Sequence, residues 1–257
     1  MMIFRSMLSA FLMYSRIPVP MVEWKEENRR YSLCFFPLVG VIIGGIFVLW
    51  QYLCGISDIS RFLESAVSVL IPVVVTGGIH LDGFCDVNDA KSSFGDRDKK
   101  LGIMSDSHIG AFAVIYLCSY FLLQLALMYE LSGSGTVIVA CGYVLSRTLS
   151  AFSAVTFRGA KKDGTLQSFA MPAHRTVTIF VLVMLFIGTF VFMAVSNLVL
   201  GIFAVCGALV ALVYYRLSSY KNFGGITGDT AGWFLQVCEI VILAFVVVGE
   251  KFLEVIL

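Results

Sequence analysis

Residues 176–217 read TVTIFVLVMLFIGTFVFMAVSNLVLGIFAVCGALVALVYYRL. This run contains no acidic residue and one basic residue, Arg216. A helix that crosses the hydrocarbon core of a bilayer needs about 20 predominantly apolar residues. The run is long enough for two crossings, and we read it as spans 176–196 and 198–217. Working outward, the same criterion selects 33–54, 62–81, 109–131, 135–156 and 231–249, for about seven spanning helices. Residues 2–15 are apolar but too short to span, are flanked by Arg5 and Arg16, and are stopped by Pro18 and Pro20. They suit a helix that lies in the membrane interface or re-enters it. The expected fold is all-α, a polytopic transmembrane helix bundle forming a single integral membrane domain over 1–257.

Composition agrees. Hydrophobic residues make up 59% of the chain and charged residues 14%, with a mean hydropathy of +0.91. Soluble domains carry roughly 25% charged residues, so the excess apolar surface calls for lipid as a partner. A net charge of +1 provides no broad basic field, and no nucleic-acid partner is expected. The seven cysteines are scattered singly without a CxxC pair, which argues against zinc or a disulfide framework.

Lys and Arg set the orientation, because they accumulate on the cytoplasmic side. With seven spans, 15 of them fall on the side of the N-terminus and only Arg61 and Lys251 on the other, with Arg147 inside a span. The N-terminus is therefore expected in the cytoplasm. The longer polar connections 82–108, 157–175 and 218–230 fall on the same side, so any chemistry should face the cytoplasm.

The richest of these connections opens with Gly77-Gly78-Ile79-His80-Leu81-Asp82-Gly83-Phe84-Cys85-Asp86-Val87-Asn88-Asp89. Asp82, Asp86 and Asp89 stand at i, i+4 and i+7, within an arc of about 60° on a helix. Three like charges on one stripe repel one another, and at the end of an apolar span they call for a partner. A divalent cation relieves the conflict, and oxygen-only ligands favour Mg²⁺. A merely hydrated acidic loop is the bland alternative. His80 beside the stripe is a candidate general base. Farther along, Asp106 and Ser107 precede the third span and read equally as ligands or as a helix cap. Lys100 and its basic neighbours Arg97 and Lys99 are candidates to meet phosphate, although the positive-inside asymmetry accounts for them without any further role.

A second site-like segment is Phe223-Gly224-Gly225-Ile226-Thr227-Gly228-Asp229. Its glycines and Thr227 precede a helix, an arrangement that can leave backbone N–H groups for an anion. Asp229 is a further metal candidate. The alternative is a turn capped by Thr227 or Asp229. The segment shares the skeleton GG-I-x-x-D with Gly77–Asp82. Finally, Arg147 and Glu239 lie inside spans. Such charges either line a site or neutralise each other.

With these motifs in hand, the chain resembles the cobalamin synthase family, the adenosylcobinamide-GDP ribazoletransferases. The resemblance rests on Ser15-Arg16-Ile17-Pro18-Val19-Pro20, Phe36-Pro37-Leu38-Val39-Gly40, the run from Gly77 to Asp89, Ile103-Met104 to Gly110, Leu145-Ser146-Arg147, and Gly224 to Asp229. It implies an inner-membrane, Mg²⁺-dependent transferase. The hydroxyl of α-ribazole or its 5′-phosphate attacks the cobinamide-bound phosphate of adenosylcobinamide-GDP, and GMP leaves. It further implies that Asp82, Asp86, Asp89 and Asp229 hold Mg²⁺, that Asp106 assists, and that Gly224, Gly225, Thr227, Gly228, Arg16, Arg147, Lys100, Ser107 and Glu239 contact substrate. A homo-oligomer is compatible with this reading. A CDP-alcohol phosphotransferase would need Ala-Arg after Asp82-Gly83, where Phe84-Cys85 stand. A transporter would gather its acids near mid-membrane, whereas here only Glu239 lies deep.

Overall fold

A computed structural model describes residues 2–160 and 165–256. The described residues form eleven helices: α1 (Met2–Tyr14), α2 (Glu26–Arg29), α3 (Ser32–Gly55), α4 (Arg61–Thr76), α5 (Ile79–Ser92), α6 (Arg97–Ile103), α7 (Ala111–Glu130), α8 (Gly133–Thr156), α9 (Thr165–Ala170), α10 (Arg175–Phe223) and α11 (Gly228–Ile256). Among these residues the one β-type pairing is an isolated parallel bridge between Gly159 and Ile226. Lys161 and Lys162, counted above in the charge asymmetry, lie outside the described residues.

Five helices, α3, α7, α8, α10 and α11, are long and apolar enough to cross a membrane, and α4 with α5 forms a sixth, broken unit. The chain is thus an all-α, multi-pass membrane bundle. α8 is its axis: 78% of its most apolar stretch is buried inside the protein, against 17% for α10. Small residues make that axis possible. A methyl group added at Gly40 of α3 would lie 2.3 Å from the Tyr143 carbonyl oxygen of α8, and one at Gly44 would lie 2.7 Å from that of Ala140. Lipid cannot push helices together by the hydrophobic effect, so close backbone approach through small residues supplies the packing.

One expected span breaks, and two expected spans are joined in one helical element. The span 62–81 breaks. α4 ends at Gly77 (φ 66°), Gly78 follows at φ 79°, and α5 leaves at 96° to α4. Two successive left-handed residues end a helix, and glycine adopts them without a Cβ clash. α5 therefore runs across the direction of the spans, carrying the acidic stripe along the end of the bundle.

The second difference is in α10, which is one continuous 49-residue element except at Asn197, where φ −160° and ψ 107° interrupt it. Asn197 Oδ1 accepts the Leu200 amide at 3.1 Å, capping the second limb. A methyl group on Gly201 would lie 3.1 Å from Met193 Cβ. Eight residues apart on a straight helix they would be separated by about 12 Å, so the chain folds back at Asn197. The limbs 175–196 and 198–223 match the two spans read from the sequence.

Candidate active site

The site is built where α5 crosses α11. A methyl group at Gly83 would lie 2.6 Å from the Asp229 carbonyl oxygen, and one at Gly232 would lie 3.2 Å from that of His80. The two backbones touch because neither glycine has a side chain. The contact sets Asp82, from the first turn of α5, and Asp229, from the first turn of α11, on the wall of one cavity of about 320 Å³ together with His80. The shared GG-I-x-x-D skeleton has a structural counterpart: each copy has a left-handed glycine, Gly77 or Gly224, closing the preceding helix, and each delivers its Asp at the start of the next.

The acidic stripe divides between two tasks. Asp82 is exposed and faces the cavity, whereas Asp86 is half-buried and feels Asp82, Asp229 and Asp89 as its like-charged neighbours. Asp89 is committed elsewhere. Its Oδ2 accepts the Gly110 amide at 2.7 Å and its Oδ1 accepts the Ala113 amide at 2.8 Å, so it caps α7 from a neighbouring helix. An anion there answers both the unpaired amides and the positive end of the helix dipole. The sequence reading places Asp89 with Asp82, Asp86 and Asp229 as a Mg²⁺ ligand; in the structure both of its oxygens accept backbone amides of α7 and its approach.

The glycine-rich loop is likewise a positioning device. Gly224 N–H donates to Tyr220 O, Gly225 N–H to Ser219 O, Ile226 N–H to Arg158 O and Thr227 N–H to Thr230 Oγ1. These amides are consumed within the protein, so the expected phosphate cradle over Gly224, Gly225 and Thr227 is not formed. Thr227 Oγ1 accepts the Thr230 amide at 3.1 Å, a reciprocal cap that starts α11. Arg158 Nη2 donates to the Gly224 carbonyl at 2.7 Å and ties the loop to the end of α8. Gly228 remains on the cavity wall beside Asp229.

The other expected residues separate. Asp106 is exposed, and its Oδ1 lies 2.6 Å from His108 Nδ1 and accepts the His108 amide at 3.0 Å. That hydrogen bond holds the Asp106 carboxyl below its ordinary range and raises His108. Ser107 is exposed next to it, and neither lines the cavity. Lys100 donates to Asn222 Oδ1 at 2.8 Å, fastening α6 to the end of α10.

Arg147 and Glu239 are buried and paired at 2.7 Å, with Ser146 donating to the same Glu239 oxygen. They pair across α8 and α11 and do not line the main cavity. Arg147 and His80 instead share a void of about 10 Å³ with Tyr120, Gln124 and Gln236, roughly the room one water needs. His80 Nε2 is buried there with no hydrogen-bond partner.

Sequence reading missed the two glycines that make the crossing and the aromatic wall of the cavity, Tyr14, Phe36 and Phe169. The small residues next to Asp82 and three after Asp229 carried a usable signal. Phe169 had none, because it reaches the cavity from a distant part of the chain.

Comparison with known proteins bears on the same residues. The family model described as Cobalamin-5-phosphate synthase matches residues 6–247. An adenosylcobinamide-GDP ribazoletransferase of Lachnoclostridium phytofermentans is 40% identical over 246 residues, 95% of this chain and 94% of the relative. Proteins of the same name from Clostridium botulinum (strain Alaska E43) and Acinetobacter baumannii are 31% and 32% identical, covering 93% and 95% of this chain and 95% and 96% of theirs. No solved structure matches. A family match that runs through α1 to α11 and includes both acid-bearing helix starts means that the chain belongs to the cobalamin-5-phosphate synthase family.

Proposed function

We propose that this protein joins adenosylcobinamide-GDP to α-ribazole, or to its 5′-phosphate, and releases GMP. The observation that carries the reading is the convergence of Asp82 and Asp229 on one cavity through the Gly83 contact. In this reaction the ribazole hydroxyl oxygen bonds to the cobinamide-bound phosphorus as the bond from that phosphorus to GMP breaks. Such a transfer asks the protein for positioning and for charge management around phosphate oxygens.

The acids fit Mg²⁺. Among the described residues no three His, Cys, Asp or Glu side chains converge as a closed metal cage. Mg²⁺ does not require one, since it keeps waters and is bound by one or two carboxylates plus substrate phosphates. Asp82 and Asp229 would hold it, with Asp86 behind them. When bound, the ion neutralises charge on the phosphate oxygens. Asp82 and Asp229 also present acceptors to the attacking hydroxyl and can take its proton. The aromatic walls exclude water that would otherwise compete as nucleophile. The positive-inside asymmetry supports placing this end of the bundle at the cytoplasmic face of the cell membrane.

The test is release of GMP from adenosylcobinamide-GDP and α-ribazole by detergent-purified protein, titrated with Mg²⁺. Wild type should turn over only with the metal. Asp229→Ser should lose a hundredfold or more, on the order of 3 kcal/mol in the barrier, since a hydroxyl cannot replace the anion. Metal-independent turnover, or an active Asp229→Ser protein, would remove the metal role.

A further inference from the structure

Two cavities, not one, meet at Asp82. The first is the 320 Å³ chamber between α1, α3, α5, α8, α9 and α11, whose walls are the buried Leu33, Phe36, Ala151, Ala154, Phe169 and Leu235. Its polar side chains are Asp82, Asp229, His80, Ser150 and, by its hydroxyl, Tyr14. The Tyr14 and Phe36 rings lie 4.1 Å apart and the Tyr14 and Phe169 rings 5.7 Å apart, forming a continuous aromatic surface.

The second is a groove of about 640 Å³ on the other side of the first turn of α5. It is bordered by Ser15, Arg16, Gly77, Gly78, Asp82 and Cys85. Its rim is exposed at Arg16, Gly77 and Asp82; the chamber opens at Ile79, Asp82 and Gly228, which are exposed, and its aromatic and aliphatic walls at Leu33, Phe36, Ala151, Ala154, Phe169 and Leu235 are buried. Met13, Ile79 and Asp82 belong to both. Arg16 is anchored by its own amide, which donates to Val75 O at 2.8 Å, and its side chain lies over Gly77, where a methyl group would come within 2.5 Å of it. Among the described residues its guanidinium makes no ion pair with a carboxylate.

Resting on the proposed reaction, we infer that the aromatic chamber is the subsite for the ribazole nucleoside and that the Arg16 groove receives the diphosphate of the corrinoid nucleotide, the two substrates meeting at Asp82. Three physical arguments support the assignment. A chamber of this size lies at the small end of the range for drug-sized ligands, about 300–1,000 Å³, and suits one nucleoside. A flat heteroaromatic base gains most from aromatic walls away from water. A corrin macrocycle is too large to enter the chamber and must approach from the open side, where an unpaired guanidinium matches phosphate oxygens. The rival occupant of the chamber is the guanine base of the second substrate, which presents the same flat face.

The test measures binding and kinetics on the full-length purified protein. Ala154→Leu fills part of the chamber. Phe169→Leu removes aromatic surface and stands in if the first variant melts early. Equilibrium binding of α-ribazole alone and of GMP alone, with Mg²⁺, is read by calorimetry, alongside KM for each substrate. Either chamber variant should weaken α-ribazole, in Kd and in KM, by more than about tenfold, leaving the KM for adenosylcobinamide-GDP within about twofold. Arg16→Gln should do the reverse.

Weakening of GMP by the chamber variants, with α-ribazole unaffected, would place guanine in the chamber and overturn the assignment. Equal loss for both substrates, or no change for either, would also overturn it. Failure of wild type to release GMP when both substrates are supplied would refute the reaction itself, a result that the α-ribazole binding isotherm keeps distinct from a wrong subsite.

Discussion

Gly83 of α5 lies against the backbone of Asp229, so close that a single added methyl group would sit 2.6 Å from the Asp229 carbonyl oxygen. Relief would require α5 and α11 to separate, since the obstacle is backbone and not a flexible side chain. Gly83→Ala should therefore reduce GMP release by at least about a hundredfold, because a displacement of the order of 1 Å at a reacting centre is enough for that. Gly102→Ala, where nothing stands within 4 Å, is the control and should retain wild-type rates. An active Gly83→Ala protein would mean that the crossing does not set the site.

Asp82 and Asp89 should fail in different ways. Asp82→Asn should abolish turnover while the melting temperature in detergent stays near wild type, because Asp82 is exposed on the cavity wall. Asp89→Ala removes two hydrogen bonds to the start of α7 and should destabilise by about 1–2 kcal/mol. It should lower the melting temperature, and added Mg²⁺ should not rescue it. Identical melting curves for the two variants would contradict the division of the stripe.

The Arg147–Glu239 pair should behave as a structural unit. Glu239→Gln leaves a buried guanidinium facing a neutral amide, and destabilisation on the order of 3 kcal/mol is expected. The double variant Arg147→Met/Glu239→Leu removes both charges and should recover much of that loss. A thermal melt of the three proteins decides it. If the double variant is no more stable than the single one, the pair has a role beyond mutual neutralisation.

Membrane topology gives an independent check on Asn197. If the limbs of α10 cross separately, reporters fused after residue 30 and in the connection between α5 and α7 should read cytoplasmic, and one fused after Leu257 should read the far side. A cytoplasmic C-terminus would mean that α10 crosses as a single unit or that another span has been misassigned.

Much of the architecture was written in local composition. Apolar runs of about 20 residues must be helical and buried in lipid, because a bilayer offers no partner for an unpaired backbone amide. For that reason α3, α7, α8, the two limbs of α10 and α11 could be placed from the sequence. The acids of the candidate site stood out too, since a carboxylate stripe at the end of an apolar span is costly without a partner. Their division of labour was not. Asp89 reads like Asp82 in the sequence, and only the arrival of the α7 N-terminus beside it makes it a cap. Thr227 and the glycines before it read like a phosphate cradle until the end of α10 takes up the amides of Gly224 and Gly225, Arg158 that of Ile226 and Thr230 that of Thr227. Arg147 and Glu239 stand 92 residues apart and required the packing of α8 on α11 to become a pair. The same holds for the chamber, whose aromatic wall is assembled from α1, α3 and α9. Apolar length and helical spacing are properties of a single segment. Which amide, charge or ring a side chain meets depends on how separate segments approach, and here a few glycines at the helix crossings decide that.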